Sequence, residues 1–164
     1  MPLHAAIRAG DLPAATELLR AGADPDRRDP EGFTPLMIAS GLGQSYTVSI
    51  LLAAGADVLA LDPRMGASAL HKAAQSGNAD VIGFLLDHGA FIDQQSPVLG
   101  NTALMDAVLH RHAGAVTRLL ERGARPNIRN YWSQTALDIA KGDGLDAIVR
   151  LIEARIASDA ARVG

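Results

Sequence analysis

The sequence predicts an all-α fold, a solenoid of five helix–turn–helix copies, and three observations carry that expectation. Leu3, Leu36, Leu70, Leu104 and Leu137 each open a similar Ala-rich segment, at steps of 33, 34, 34 and 33 residues. The apolar pairs Leu18-Leu19, Leu51-Leu52, Leu85-Leu86 and Leu119-Leu120 follow these leucines at one fixed interval, and Leu151-Ile152 follows the last one residue early. Glycines recur behind them at Gly22, Gly55, Gly89 and Gly123. Self-similarity at such a period marks a repeat array, in which each unit buries its apolar face only against its neighbours.

The segments around the leucines read Thr34-Pro35-Leu36-Met37-Ile38-Ala39, Ser68-Ala69-Leu70-His71-Lys72-Ala73, Thr102-Ala103-Leu104-Met105-Asp106-Ala107 and Thr135-Ala136-Leu137-Asp138-Ile139-Ala140, with Pro2-Leu3-His4-Ala5-Ala6 as a clipped first version. They resemble the Thr-Pro-Leu-His-x-Ala signature of the ankyrin repeat, in five degenerate copies in phase from Pro2 to about Ile156. The resemblance implies antiparallel helix pairs joined by β-hairpin fingers, and a protein-binding scaffold without chemistry of its own. It also implies that His4 and His71, at the signature histidine, make a local hydrogen bond that fixes the turn. The concave surface would be formed by the fingers and the outward side of each first helix.

One domain over residues 1–164 is expected, with copies at about 2–30, 31–64, 65–98, 99–132 and 133–164. The first copy begins inside a repeat, with Pro2 at the signature proline, so Met1 is either native or an initiator added to a shortened segment. The second and third follow the pattern closely. In the third, Leu70, Ala73 and Ala74, then Val81, Ile82, Leu85 and Leu86, fall at helical spacing, giving each helix one apolar face. Small alanines let first helices approach, and the leucines of the second helices fill the space behind. Burial at ~25 cal/mol per Å² of apolar area places most of the stability between copies.

Gly10, Gly43, Gly77 and Gly144 separate the two helices of their copies, but the fourth copy has Arg111 there. A left-handed backbone at arginine costs roughly 1 kcal/mol relative to glycine, so either the turn is distorted or a contact holds Arg111. The fifth copy is one residue short, which predicts a shortened last pair. Arg155 replaces the closing glycine, and residues 156–161 are helix-compatible, so the last helix is expected to run on as a cap.

Composition narrows the function. In 164 residues, 48% are hydrophobic and 4% aromatic, and the net charge is −3. This suits one soluble domain packed by alanine and leucine, and disfavours a nucleic-acid or membrane-surface binder. No apolar run spans a membrane and no signal pattern is present. Cysteine is absent, which removes thiol chemistry without fixing a compartment. A cytoplasmic location is expected, or a periplasmic or secreted one if an N-terminal signal has been removed. The 13 arginines against 2 lysines, with abundant alanine, suggest a GC-rich, bacterial source.

No phosphate loop, metal-ligand spacing or nucleophile elbow occurs, so no enzyme, cofactor or metal is expected. His88 lies in the last turn of a helix, where partial positive charge suits the dipole. His110 and His112, two apart on a helix, would point in different directions. Asp106 and His110 would share a face but supply only two ligands.

Carried over position by position, the concave face would expose Ala5, Arg8, Ile38, Leu42, Lys72, Gln75, Ser76, Asp106, Leu109, His110, Ile139 and Asp143. Lys72 and Asp106 hold equivalent places and would form a ladder of opposite charge worth ~0.5 kcal/mol. The first finger is charged, with Asp24, Asp26, Arg27, Arg28, Asp29 and Glu31, as solvation explains. The others place Met65, Val98, Leu99, Tyr131 and Trp132 at their tips, where large apolar side chains mark a contact site or fold back into a small cluster. A basic strip of Arg111, Arg118, Arg122, Arg125 and Arg129 leaves residues 106–130 at +3, fitting an acidic patch on a partner.

The expected function is therefore a protein-interaction module, monomeric until it binds, that occupies, inhibits or positions another protein. Its contact residues are taken as Met65, Leu99, Arg129, Tyr131, Trp132, Leu42, Gln75, Leu109 and His110. The alternative is a small-ligand or enzyme-accessory role at a polar site around Asp106, His110 and Arg111.

Overall fold

Ten helices in five antiparallel pairs make up the chain, and the computed structural model describes all residues 1–164. The first helices of the pairs are α1 (Leu3–Arg8), α3 (Pro35–Gly41), α5 (Ala69–Ser76), α7 (Ala103–Leu109) and α9 (Ala136–Gly142). The second helices are α2 (Leu12–Arg20), α4 (Ser45–Ala53), α6 (Ala79–Asp87), α8 (Ala113–Glu121) and α10 (Asp146–Val163). Each of α3, α5, α7 and α9 starts on a hydroxyl cap: Thr34, Ser68, Thr102 and Thr135 accept the backbone N–H three residues on. That bond satisfies a donor the first turn leaves unpaired.

Ala6, Ala39, Ala73, Ala107 and Ala140 are fully buried, one per first helix, three residues after each key leucine. With only a methyl group there, α1, α3, α5, α7 and α9 line up side by side, and α2, α4, α6, α8 and α10 form a second row behind. Leu51, Val81, Ile82, Leu85, Val116, Leu119 and Ile152 fill the space between the rows. The resulting core is a single cluster of 31 buried residues running from Leu3 to Ile152. Leu137, unlike the other four key leucines, is only partly buried, because α9 is the last of its row and no first helix covers its far side.

The turn at Arg111 is not distorted. Arg111 takes φ 60°, beside 66–79° for Gly10, Gly43, Gly77 and Gly144, and its exposed side chain enters no ion pair. The strain is therefore uncompensated. Arg111→Gly is expected to raise unfolding stability by about 0.5–1 kcal/mol, the relief of a left-handed β-carbon less the extra chain entropy of glycine. Urea unfolding of the two proteins measures it, and a lower midpoint for the variant would reveal a contact at Arg111.

The fingers are tight turns in place of the expected β-hairpins, with no strand and one isolated bridge, between Leu61 and Ser68. In each, a buried polar residue folds the chain back on itself. Asp29, Asp62, Ser96 and Asn130 donate their backbone N–H to Phe33, Ala67, Asn101 and Gln134 carbonyls. The Asp29, Asp62 and Asn130 side chains also accept backbone N–H groups from their own tips. Side-chain acceptors thus take donors that a strand ladder would have used. Successive fingers then stack ring on backbone: a β-carbon at Gly32, Gly66 or Gly100 would lie 2.4, 2.3 or 2.6 Å from a ring atom of Pro63, Pro97 or Tyr131.

The last pair is lengthened, which corrects the expected shortening. Its connection is three residues, as between α7 and α8, and Ile152 takes the fully buried place that Leu119 holds one copy earlier; α10 extends over 18 residues, straight through Arg155. The Arg155 guanidinium bonds Asp159 at 2.7 Å and the Leu120 carbonyl near the end of α8, tying the extension to the neighbouring copy. No helix is long and apolar enough to cross a membrane.

Candidate protein-binding surface

Of the groove positions, Arg8, Leu42, Leu109, His110 and Asp143 are exposed and Ala5, Ile38, Lys72, Gln75 and Ser76 half-buried. Asp106 and Ile139 are buried, against expectation. Ile139 joins the core between α7 and α9. Asp106 is covered because its carboxylate accepts Gln75 Nε2–H at 3.1 Å and Asn101 Nδ2–H at 3.3 Å, from the preceding helix and the finger base.

The Lys72–Asp106 ladder does not form. Lys72 reaches back to Asp62, 3.3 Å away, and lies 5.2 Å over the Phe33 ring. Arg8 pairs in the same way with Asp29. A cation on a first helix thus meets a buried aspartate at a finger base, with both carboxylates only 1% exposed. Burial alone would raise the pKa of each; at Asp29 the Arg8 guanidinium and two backbone N–H donors outweigh it, and at Asp62 the Met65 and Arg64 N–H groups and the Lys72 ammonium do so. Both therefore sit below the ordinary 3.8. Asp29 is not a solvated member of a charge run.

Asp106 has no such cation against it, and burial pushes its carboxyl above 3.8, offset only in part by His71, Gln75 and Asn101. The folded state therefore binds this proton more tightly than the unfolded chain, so ionised Asp106 costs stability at neutral pH and the cost fades as pH falls towards 3.8. Asp106→Asn is expected to melt higher than wild type at pH 7, the gap closing by pH 4. Melting curves across that window test it, and a constant gap would contradict it.

His71 Nδ1 accepts the Ser68 backbone N–H in a capping box, and Nε2–H donates to the Asn101 carbonyl at 3.1 Å. It therefore fixes its own turn and clasps the next copy; His4 bonds the Arg27 carbonyl across to its finger. His88 caps α6, bonding the Phe84 carbonyl. His110 and His112 lie parallel, with centroids 6.5 Å apart and planes 9° apart, contrary to the divergence expected on a helix. The reason is Arg111: α7 has ended, and the left-handed residue turns His112 back alongside His110. Each ring is tied to a carbonyl, of Asp106 and Gln75 respectively. The His110 ring is near enough to act on the Asp106 carboxyl, but the Arg111 side chain is exposed and pairs with neither.

The basic strip is neutralised within the chain. Arg118 faces Asp80 and Glu121, Arg122 meets Asp87 at 2.7 Å, Arg125 meets Asp93 at 2.9 Å, and Arg129 lies 3.6 Å from Asp138. Three of these acids belong to the preceding copy, so the strip links copies; only Arg111 remains unpaired.

At the finger tips Trp132 is 62% and Tyr131 64% exposed, with Val98 and Met65 exposed beside them. Tyr131 occupies the place of Pro30, Pro63 and Pro97, its ring over Gly100 and its N–H on the Leu99 carbonyl at 3.2 Å. Leu99 is half-buried in consequence. Arg129 braces the same finger through the Ser133 carbonyl. Sequence reasoning missed a depression of about 480 Å³ in the groove, lined by Arg8, Glu31, Phe33, Met37, Ile38, Gly41, Leu42 and Lys72. Its only linear signal is a helical glycine at Gly41.

A linear stack with variable side chains on one face defines a repeat scaffold. The chain belongs to the ankyrin-repeat family: the family model for ankyrin repeats (3 copies) matches residues 1–62 and 60–130. Ankyrin repeats are general protein–protein interaction modules, and the family is typically non-enzymatic. Over 76 residues, 46% of the chain, it is 42% identical to glycerophosphocholine phosphodiesterase gde1 of Schizosaccharomyces pombe. Over 80 residues, 48% of the chain, it is 44% identical to neurogenic locus notch homolog protein 1 of Xenopus tropicalis, and over 61 residues, 37%, it is 41% identical to the ARF GTPase-activating protein Git of Drosophila melanogaster. The chain spans 7%, 3% and 8% of the length of these three relatives.

Proposed function

We propose that this chain is a non-catalytic binding module that engages another protein along its finger tips and groove. Met65, Leu99, Tyr131, Trp132 and Arg129 form the finger-tip contact, and Leu42, Gln75, Leu109 and His110 the groove contact. The single observation that carries the reading is Trp132, left 62% exposed at the end of a row of apolar tips although the fold makes no use of its ring. Aromatic side chains of this kind anchor interfaces because they bury much area at small entropic cost. The relatives support a module rather than an activity, since they differ in kind and each matches over a small fraction of its length.

The test uses the chain's sole tryptophan as reporter. A protein that copurifies with the native chain is identified by mass spectrometry and titrated against it. A blue shift of Trp132 emission with loss of iodide quenching is expected. A stoichiometric complex with unchanged emission and quenching would sink the assignment.

A further inference from the structure

We infer that the depression over Gly41 is a subsite for one bulky apolar side chain and an adjoining carboxylate of a partner segment. Gly41 lies in the last turn of α3 and is not left-handed; a β-carbon there would meet nothing closer than Lys72 Cβ at 3.9 Å. The fold thus has room for a side chain, and Arg8, Gln75 and Leu109 hold the equivalent place in other copies. Glycine is a poor helix residue, so its presence weakens α3 without any compensation inside the chain. Gly32, Gly66 and Gly100 are different, since rings of the next finger lie against them. What Gly41 provides is an open floor to a space of about 480 Å³. Gly142, at this place in the last copy, does not line the depression.

The walls define the occupant. Phe33, Ile38 and Leu42 supply apolar surface, and Leu42 is 53% exposed. Arg8 and Lys72 flank them with side chains 47% and 20% exposed, while the carboxylates that balance them, Asp29 and Asp62, are 1% exposed behind the surface. An approaching group therefore meets two cations against one exposed acid, Glu31. Apolar floor and cationic rim together select an aromatic or branched side chain beside an Asp, a Glu or a terminal carboxylate. The inference rests on the chain being a binding module, and its test is independent of the finger tips.

The probe is 3-phenylpropanoate, titrated into the ¹⁵N-labelled full chain, with 3-phenylpropanamide and propanoate as comparisons. Saturable shifts at the Ile38, Gly41 and Leu42 amides are expected, at least fivefold weaker for the amide and absent for propanoate. Gly41→Leu should abolish them, and Leu42→Ala, at an exposed wall position, should weaken them severalfold should the first variant not fold. Trp132→Ala should leave them unchanged. Unsaturable or scattered shifts, equal binding of the amide, or indifference to both groove variants would overturn the subsite. That failure alongside Trp132-dependent partner binding removes the subsite alone, whereas a partner that ignores Trp132 removes the finger-tip reading.

Discussion

Leu104→Ala is expected to lower the unfolding free energy by about 2–5 kcal/mol, the range for emptying a buried leucine site that collapses incompletely. Leu104 is fully buried in α7, between α5 and α9 with α8 behind, so the void opens on three helices at once. Small alanines such as Ala73 and Ala107 already hold these helices close, leaving little slack to close the gap. In an array stabilised by neighbouring interfaces, a weakened central copy loosens both sides. Melting should fall by roughly 4–20 °C at about 2–4 °C per kcal/mol. Leu137→Ala provides the contrast, because Leu137 is only partly buried at the end of its row and should cost clearly less. Equal losses at the two sites would mean the stack is not cooperative around α7.

Trp132→Ala should weaken partner binding by ~2 kcal/mol or more, about thirtyfold in affinity, with melting nearly unchanged. The indole is exposed, and the residue's one bond in its finger runs from its backbone N–H to Asn130 Oδ1, which alanine keeps. Tyr131→Ala should behave differently, since that ring covers Gly100 and its removal uncovers the finger beneath. Measuring stability and affinity on both variants separates an anchor from a staple. Trp132→Ala with wild-type affinity would remove the anchor; a large drop in its melting temperature would make it a staple instead.

The period of the key leucines was enough to read the ten helices, their pairing and the alanine row, because those features repeat locally and depend on hydrophobic spacing. What escaped was set by contacts between copies. Asp29 reads as one acid in a charge run until Arg8 is seen beside it, 21 residues away. Arg122 and Arg125 read as a free basic strip, yet their acids lie 35 and 32 residues earlier. Those separations approximate the repeat period itself, so a search for opposite charges one period apart would have found them. The buried Asp106 could not be found that way, since its partners, Gln75 and Asn101, are neutral. The parallel histidines depended on both lying in the turn between α7 and α8, outside either helix.

The rings seated on Gly32, Gly66 and Gly100 give the stack a one-sided elasticity. Curling it further towards its fingers drives Pro63, Pro97 and Tyr131 into backbone they already touch, where repulsion climbs steeply. Uncurling it relinquishes only dispersion contacts, each about 0.1–0.2 kcal/mol per atom pair. The molecule is thus a spring with a hard stop: its groove widens readily around a larger partner and resists closing on a smaller one, so bound shapes should scatter on the open side of the resting curvature.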